Sequence, residues 1–156
     1  MALRTLTRRR NTSTNHDRAF YSEKRLTNEN FVGHSFRNAV FAGTTLKGVN
    51  MENCNLTGAI FTVCMVVGTR FFVSGLENAK FTGSNLEGCN LNECDLTNVT
   101  MRNCFILNCD FRNTELRGAD FSTCELIDCK WDGASGDGST RFPKGFNPKK
   151  HGITIY

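Results

Sequence analysis

Eight cysteines, three histidines and a scatter of carboxylates are the side chains here that could carry chemistry. A thiolate can attack a carbonyl or hold a metal, and cysteine pairs two residues apart are the usual metal knuckle. The cysteines are Cys54, Cys64, Cys89, Cys94, Cys104, Cys109, Cys124 and Cys129, and every interval between them is a multiple of five. No Cys-x-x-Cys pair occurs, and His16, His34 and His151 are not spaced as partners. The expectation is therefore packed free thiols behaving as small hydrophobes, with no cofactor and no metal. Asp95 and Glu115 stand twenty residues apart, and two carboxylates facing each other in a cleft would make an acid–base pair. Asp110, Glu115, Asp120 and Glu125 recur at equivalent places, which suggests a solvated face with small ion ladders, Asp110 to Lys130 and Arg112 to Asp132. There is no Ser-His-Asp set, phosphate-cradling loop or dinucleotide fingerprint, so no catalytic residue is assigned and no enzyme is expected.

The cysteine spacing is one trace of a repeat that runs through the chain. From Phe31 to Trp131 every fifth residue is large and apolar, including Phe41, Phe61, Phe81, Met101 and Phe121 and, between them, Leu56, Leu76, Leu96 and Leu116. Two residues before each stands a small one, such as Ala39, Cys54, Ser74 or Cys124, and two after stands mostly Gly or Asn. Gly and Asn accept the positive φ of a tight corner. An α-helix follows a period of 3.6 and an ordinary strand a period of two, so a strict five means short segments with a corner after each. Reading every twentieth residue sorts the large side chains into four columns, alternately aromatic and aliphatic, which fills a square cross-section.

Units such as Asn55–Ala59, Asn85–Cys89 and Asp120–Cys124 resemble the pentapeptide-repeat family, and the resemblance covers residues 29–133. It implies an all-β fold, a right-handed quadrilateral parallel β-helix (solenoid) of about five coils, capped at both ends. Five coils at about 4.8 Å make a rod roughly 25 Å long. The expected organisation is a flexible basic tail over 1–15, a cap of short helix or turn over 16–28, the β-helix over 29–133 and an irregular C-terminal extension over 134–156. The segment Arg141–Gly152 resembles the extension of cyanobacterial members, and Phe142, Phe146, Ile153 and Ile155 are placed to cover the last coil.

One irregularity points outward. Val63 and Val73 occupy corners where Gly or Asn belongs, and Met65, Val67, Phe72, Phe105, Leu107 and Ile127 take outward positions read as one face. Bare apolar groups of this kind mark either a face that a terminal tail of the chain covers or a contact site for a partner. The expected function is a non-catalytic protein–protein interaction or scaffold module, with an unidentified protein or a second copy (a homodimer) on that face. The alternative implied by the resemblance is a DNA-mimicking binder of a type II topoisomerase, as in quinolone-resistance members. Those rods are acidic and carry loop insertions, whereas residues 31–133 hold eight Lys/Arg against eleven Asp/Glu in an unbroken register. The net charge of +4 resides in the two ends, and a nucleic-acid partner is not expected. No stretch of about 18 apolar residues exists to span a membrane. The Arg- and Thr-rich start lacks a secretory core, so the expected compartment is the cytoplasm, with organelle targeting as the eukaryotic alternative.

Overall fold

A computed structural model of the chain describes residues 14–156. The segment read as a basic tail therefore lies outside the described residues except for Thr14 and Asn15. Ten strands of three residues each follow one another: β1 (Arg25–Thr27), β2 (Val40–Ala42), β3 (Thr45–Lys47), β4 (Ile60–Thr62), β5 (Met65–Val67), β6 (Lys80–Thr82), β7 (Asn85–Glu87), β8 (Thr100–Arg102), β9 (Phe105–Leu107) and β10 (Glu125–Ile127). Neighbouring strands in a sheet lie twenty residues apart and pair in parallel. One face of the rod is thus the six-stranded sheet β1-β3-β5-β7-β9-β10 and the next is the four-stranded sheet β2-β4-β6-β8.

The other two faces are columns of single parallel bridges, Asn15↔Ser35↔Asn55↔Gly75↔Asp95↔Glu115↔Ser135 and Asn30↔Asn50↔Arg70↔Asn90↔Asp110↔Lys130. Local hydrogen bonding sets this difference. On the bridge faces the Asn or Asp side chain accepts the N–H two residues on, as Asn50 does from Glu52 at 3.1 Å and Asp95 from Thr97 at 2.9 Å. That turn folds the segment before it can extend. Where Asp120 enters the column of Lys80 and Thr100 it accepts from Ser122 N–H at 3.0 Å, and the strand gives way to a single bridge. Corners take left-handed backbone. Asn98 has φ of 56° and Gly118 of 68°, while the β-branched Val63 and Val73 are forced to 53° and 57°.

The core is one continuous axial stack. Phe41, Phe61 and Phe81 lie face to face at 4.7 and 4.5 Å between centroids, and Phe111 lies on Trp131 at 4.3 Å. Across the axis Phe61 meets Phe71 edge-on at 6.4 Å. Leu56, Leu76, Leu96, Leu116, Met101 and Phe121 are fully buried in the same cluster.

The stack is longer than the expected five coils: about seven turns among the described residues. It begins in the segment read as a helical or turned cap, because Asn15 bridges Ser35, Phe20 bridges Val40 and β1 already pairs with β3. His16, Tyr21 and Leu26 occupy the inward five-residue register there, His16 stacking on Phe36 at 4.6 Å and Tyr21 on Phe41 at 4.9 Å. At the other end pairing continues past residue 133. Ser135 bridges Glu115, and Arg141 bridges Asp120 with one residue inserted. β11 (Ser135–Gly136) pairs with β12 (Thr154–Ile155). Phe142 stacks on Phe121 at 5.9 Å, Phe146 meets Trp131 at 5.8 Å and Ile153 is buried. Ile155 does not join this cover. It lies on β12, 44% exposed, where neither residue of the short strand is buried.

Candidate interaction surface

The thiols are built into the coil. Each sulfur hydrogen-bonds a backbone carbonyl of the turn before, as in Cys89 to Val66 O at 3.3 Å and Cys104 to Phe81 O at 3.1 Å. Thr44, Thr69, Ser74 and Ser84 at equivalent positions make the same link, and Ser74 Oγ donates to Met51 O at 2.7 Å and accepts from Cys54 N–H at 2.9 Å. All eight cysteines are free. Burial pushes the thiols of Cys54 and Cys129 up to about 11 and that of Cys94 to about 12, so these three stay protonated at neutral pH. The thiols of Cys89 and Cys109 interact, as do those of Cys104 and Cys124, and this interaction together with burial raises Cys109 and Cys124. No group of three potential metal ligands occurs among the described residues.

The other polar groups are also held locally. His16 Nδ1 pairs with the Tyr21 hydroxyl at 2.7 Å and its Nε2 with His34 Nδ1 at 3.0 Å, closing the N-terminal coil. Burial lowers the His34 pKa. His151 stacks on Phe146 at 4.3 Å. Asp95 and Glu115 are bridge partners in the stack, but Asp95 closes its own turn and Glu115 pairs with Arg117 at 3.3 Å. The ion ladder read from one coil to the next is instead a pair within a coil. Arg112 reaches Asp110 at 2.6 Å and holds that carboxyl below its ordinary pKa, with Lys130 adding only a more distant charge.

Against this self-contained polar surface the apolar residues stand apart. Met65 and Val67 on β5 and Phe105 and Leu107 on β9 flank Asn85 and Glu87 on β7, and Ile127 on β10 follows Leu107. Met65 is 53% exposed and Phe105 36%, whereas Val67, Leu107 and Ile127 are half-buried. Val63, at the preceding corner, is 67% exposed. Five of the six residues read from the sequence as one face are therefore together. Phe72 is not. The corner at Gly68 turns it onto the neighbouring bridge face, beside Arg70.

Sequence reasoning missed a second apolar column. Phe20, Val40 and Ile60 bridge one another on the sheet of β2 and β4, with Phe20 77% exposed. The signal was the five-residue register carried back through Tyr21 and His16, which puts Phe20 in an outward position.

The model of the family described as pentapeptide repeats matches in 8 copies over residues 25–71, 76–113 and 107–135. No curated protein matches the chain. Among solved structures, a pentapeptide repeat protein from the thylakoid lumen of Arabidopsis thaliana is 23% identical over 58% of this chain and 71% of its own, with a TM-score of 0.35. Rfr23 from the cyanobacterium Cyanothece 51142 is 19% identical over 78% of this chain and 90% of its own, with a TM-score of 0.35. A trypsin-treated form of QnrB1, a plasmid-mediated fluoroquinolone resistance protein, is 16% identical over 91% of this chain and 88% of its own, with a TM-score of 0.36. Identities and superpositions at this level carry no partner or activity across. The five-residue register, the parallel stack it builds and the match along most of its length agree: the chain belongs to the pentapeptide repeat family.

Proposed function

We propose that this chain is a non-catalytic protein–protein interaction or scaffold module whose contact site is the face carrying Met65, Val67, Phe105, Leu107 and Ile127. The observation that supports the reading most is the exposure of Met65 and Phe105 on a flat sheet where the same columns hold Arg25, Thr45, Asn85 and Glu125. Contiguous exposed apolar groups mark interaction sites. Recognition by an exposed face is also how other solenoids work. The strained corner at Val63 fits the same reading, since a β-branched residue in left-handed backbone persists where its side chain is needed.

Duplex-DNA mimicry by the rod is less well supported. Such a mimic needs uncompensated acid along one face. Here Glu52, Asp110 and Glu115 are each paired with an arginine, Arg70, Arg112 and Arg117. Eight free thiols suit a reducing compartment such as the cytoplasm. No helix among the described residues is long and apolar enough to cross a membrane.

The test is affinity capture with the wild-type chain and with a variant carrying Met65→Asp, Val67→Asp and Phe105→Asp. Partners that the wild type retains and the variant loses support the site. Identical retention by both removes it.

A further inference from the structure

We infer that the occupant of this face is a second copy of the chain, docked side by side with parallel rod axes and coils in register. The inference rests on the contact site proposed above and names its partner.

The argument is one of pattern. Up the face the outward pairs run Thr45/Lys47, Met65/Val67, Asn85/Glu87, Phe105/Leu107 and Glu125/Ile127. Two identical flat faces can meet about a two-fold axis in only a few ways. With the axis parallel to the rod, each outward pair meets itself reversed. Met65 then faces the partner copy's second column at its own level, Val67 to Met65 and Leu107 to Phe105, and all five apolar side chains are covered. The polar level is self-complementary, because the Asn85 amide of each copy lies opposite the Glu87 carboxylate of the other. A donor meets an anionic acceptor twice, which is the favourable pairing for a desolvated contact.

The alternatives fail on the same residues. With the rods antiparallel and centred on β7, Met65 meets Phe105 but Glu87 meets Glu87, two carboxylates brought together out of water. Centred on β9, the antiparallel arrangement carries Met65 and Val67 beyond the end of the partner's sheet and leaves them bare. Centred between β7 and β9, antiparallel rods set the Glu87 and Glu125 carboxylates against Leu107 and Met65, whereas the parallel arrangement opposes no like charges and leaves one carboxylate, Glu125, beside an apolar group, Ile127. The face is three residues wide and six strands tall, small beside a standard interface, so dissociation on the order of 100 μM is expected.

Sedimentation equilibrium of the full chain between about 10 μM and 1 mM reads the association. A concentration-dependent dimer is expected for the wild type, lost in the Met65→Asp/Phe105→Asp variant and weakened about fivefold or more by Asn85→Asp, which sets a second carboxylate against Glu87. Arrangement is read by mixing variants that each add one exposed cysteine to the eight protected native ones, with a short bis-maleimide. Met65→Cys chains crosslink to Val67→Cys chains in the parallel dimer, whereas Met65→Cys chains crosslink to Phe105→Cys chains in the antiparallel one. Preferential crosslinking of the second mixture overturns the arrangement, and a dimer unaffected by the Asp substitutions overturns the face. A wild type monomeric at 1 mM overturns the second copy as occupant. In that case a captured protein that the Asp variant loses would leave the contact site itself standing, so the two failures are separable.

Discussion

Met65 and Phe105 stand on one outward column of a parallel sheet, two strands apart, with the polar Asn85 alone between them. Their inward neighbours Val66 and Ile106 are fully buried in the axial stack. The solvent-facing and core-facing halves of the same strand are thus independent. Replacing Met65 and Phe105 by Asp is expected to leave thermal unfolding within the roughly 0.5 kcal/mol typical of surface changes while removing association. Parallel melting and sedimentation measurements on the variant check both halves of that statement.

Val73 sits at a corner with φ of 57°, where its relatives in the same register are mostly Gly or Asn. A β-branched side chain there crowds the backbone by about 1 kcal/mol. Val73→Asn is expected to stabilise the rod by about that amount in urea unfolding. A destabilised variant would show that Val73 contributes more by packing than it costs in strain.

Ser74 links successive turns by accepting from Cys54 N–H and donating to Met51 O. Removing the hydroxyl leaves two buried backbone groups short of a partner. Ser74→Ala is expected to cost about 1–3 kcal/mol of unfolding free energy. Ser74→Cys, which restores the arrangement seen at Cys94 to Phe71 O, should recover part of it.

The thiols set an alkaline limit. Burial holds Cys54 and Cys129 at about 11 and Cys94 at about 12, against 9.0 for the free group. Below pH 9 the folded and unfolded chains both keep these protons, and the contribution to stability is complete. As pH rises from 9 toward 11 and 12 the unfolded chain releases them first, so stability falls. Urea unfolding between pH 7.5 and 10.5 should show that decline, and Cys94→Ala should make it shallower. At neutral pH a thiol reagent should leave these cysteines unmodified until the chain is unfolded.

The repeat was legible in the sequence because each unit makes its inward and corner choices in the same order. The large residues from Phe31 to Trp131 declare the core, and Gly or Asn two places on declares the corners. The first coil was hidden because His16 and Tyr21, polar at one end, fill inward positions that elsewhere hold aliphatic or phenyl groups. They are accommodated since the His16 ring nitrogens and the Tyr21 hydroxyl bond one another and His34. The last turns were hidden by a register shift, Asp120 pairing with Arg141 after one inserted residue. In the candidate surface, outwardness was legible from position alone. Placing Phe72 required knowing that the corner at Gly68 separates it from Val67. The role of the small inward residues was not legible, because Cys, Ser and Thr at those sites look like space-fillers until the carbonyl of the turn below is in view.

Met65 offers the most direct test. Met51 and Met101 are fully buried, so a methyl-labelled methionine spectrum of the four methionines separates two core reporters from Met65 on the proposed contact face, with Met1 assigned by its substitution. When the chain is bound to its captured partner or to a second copy, the Met65 methyl resonance should shift or broaden while those of Met51 and Met101 stay in place. A complex in which Met65 is unperturbed would contradict the assignment of this face.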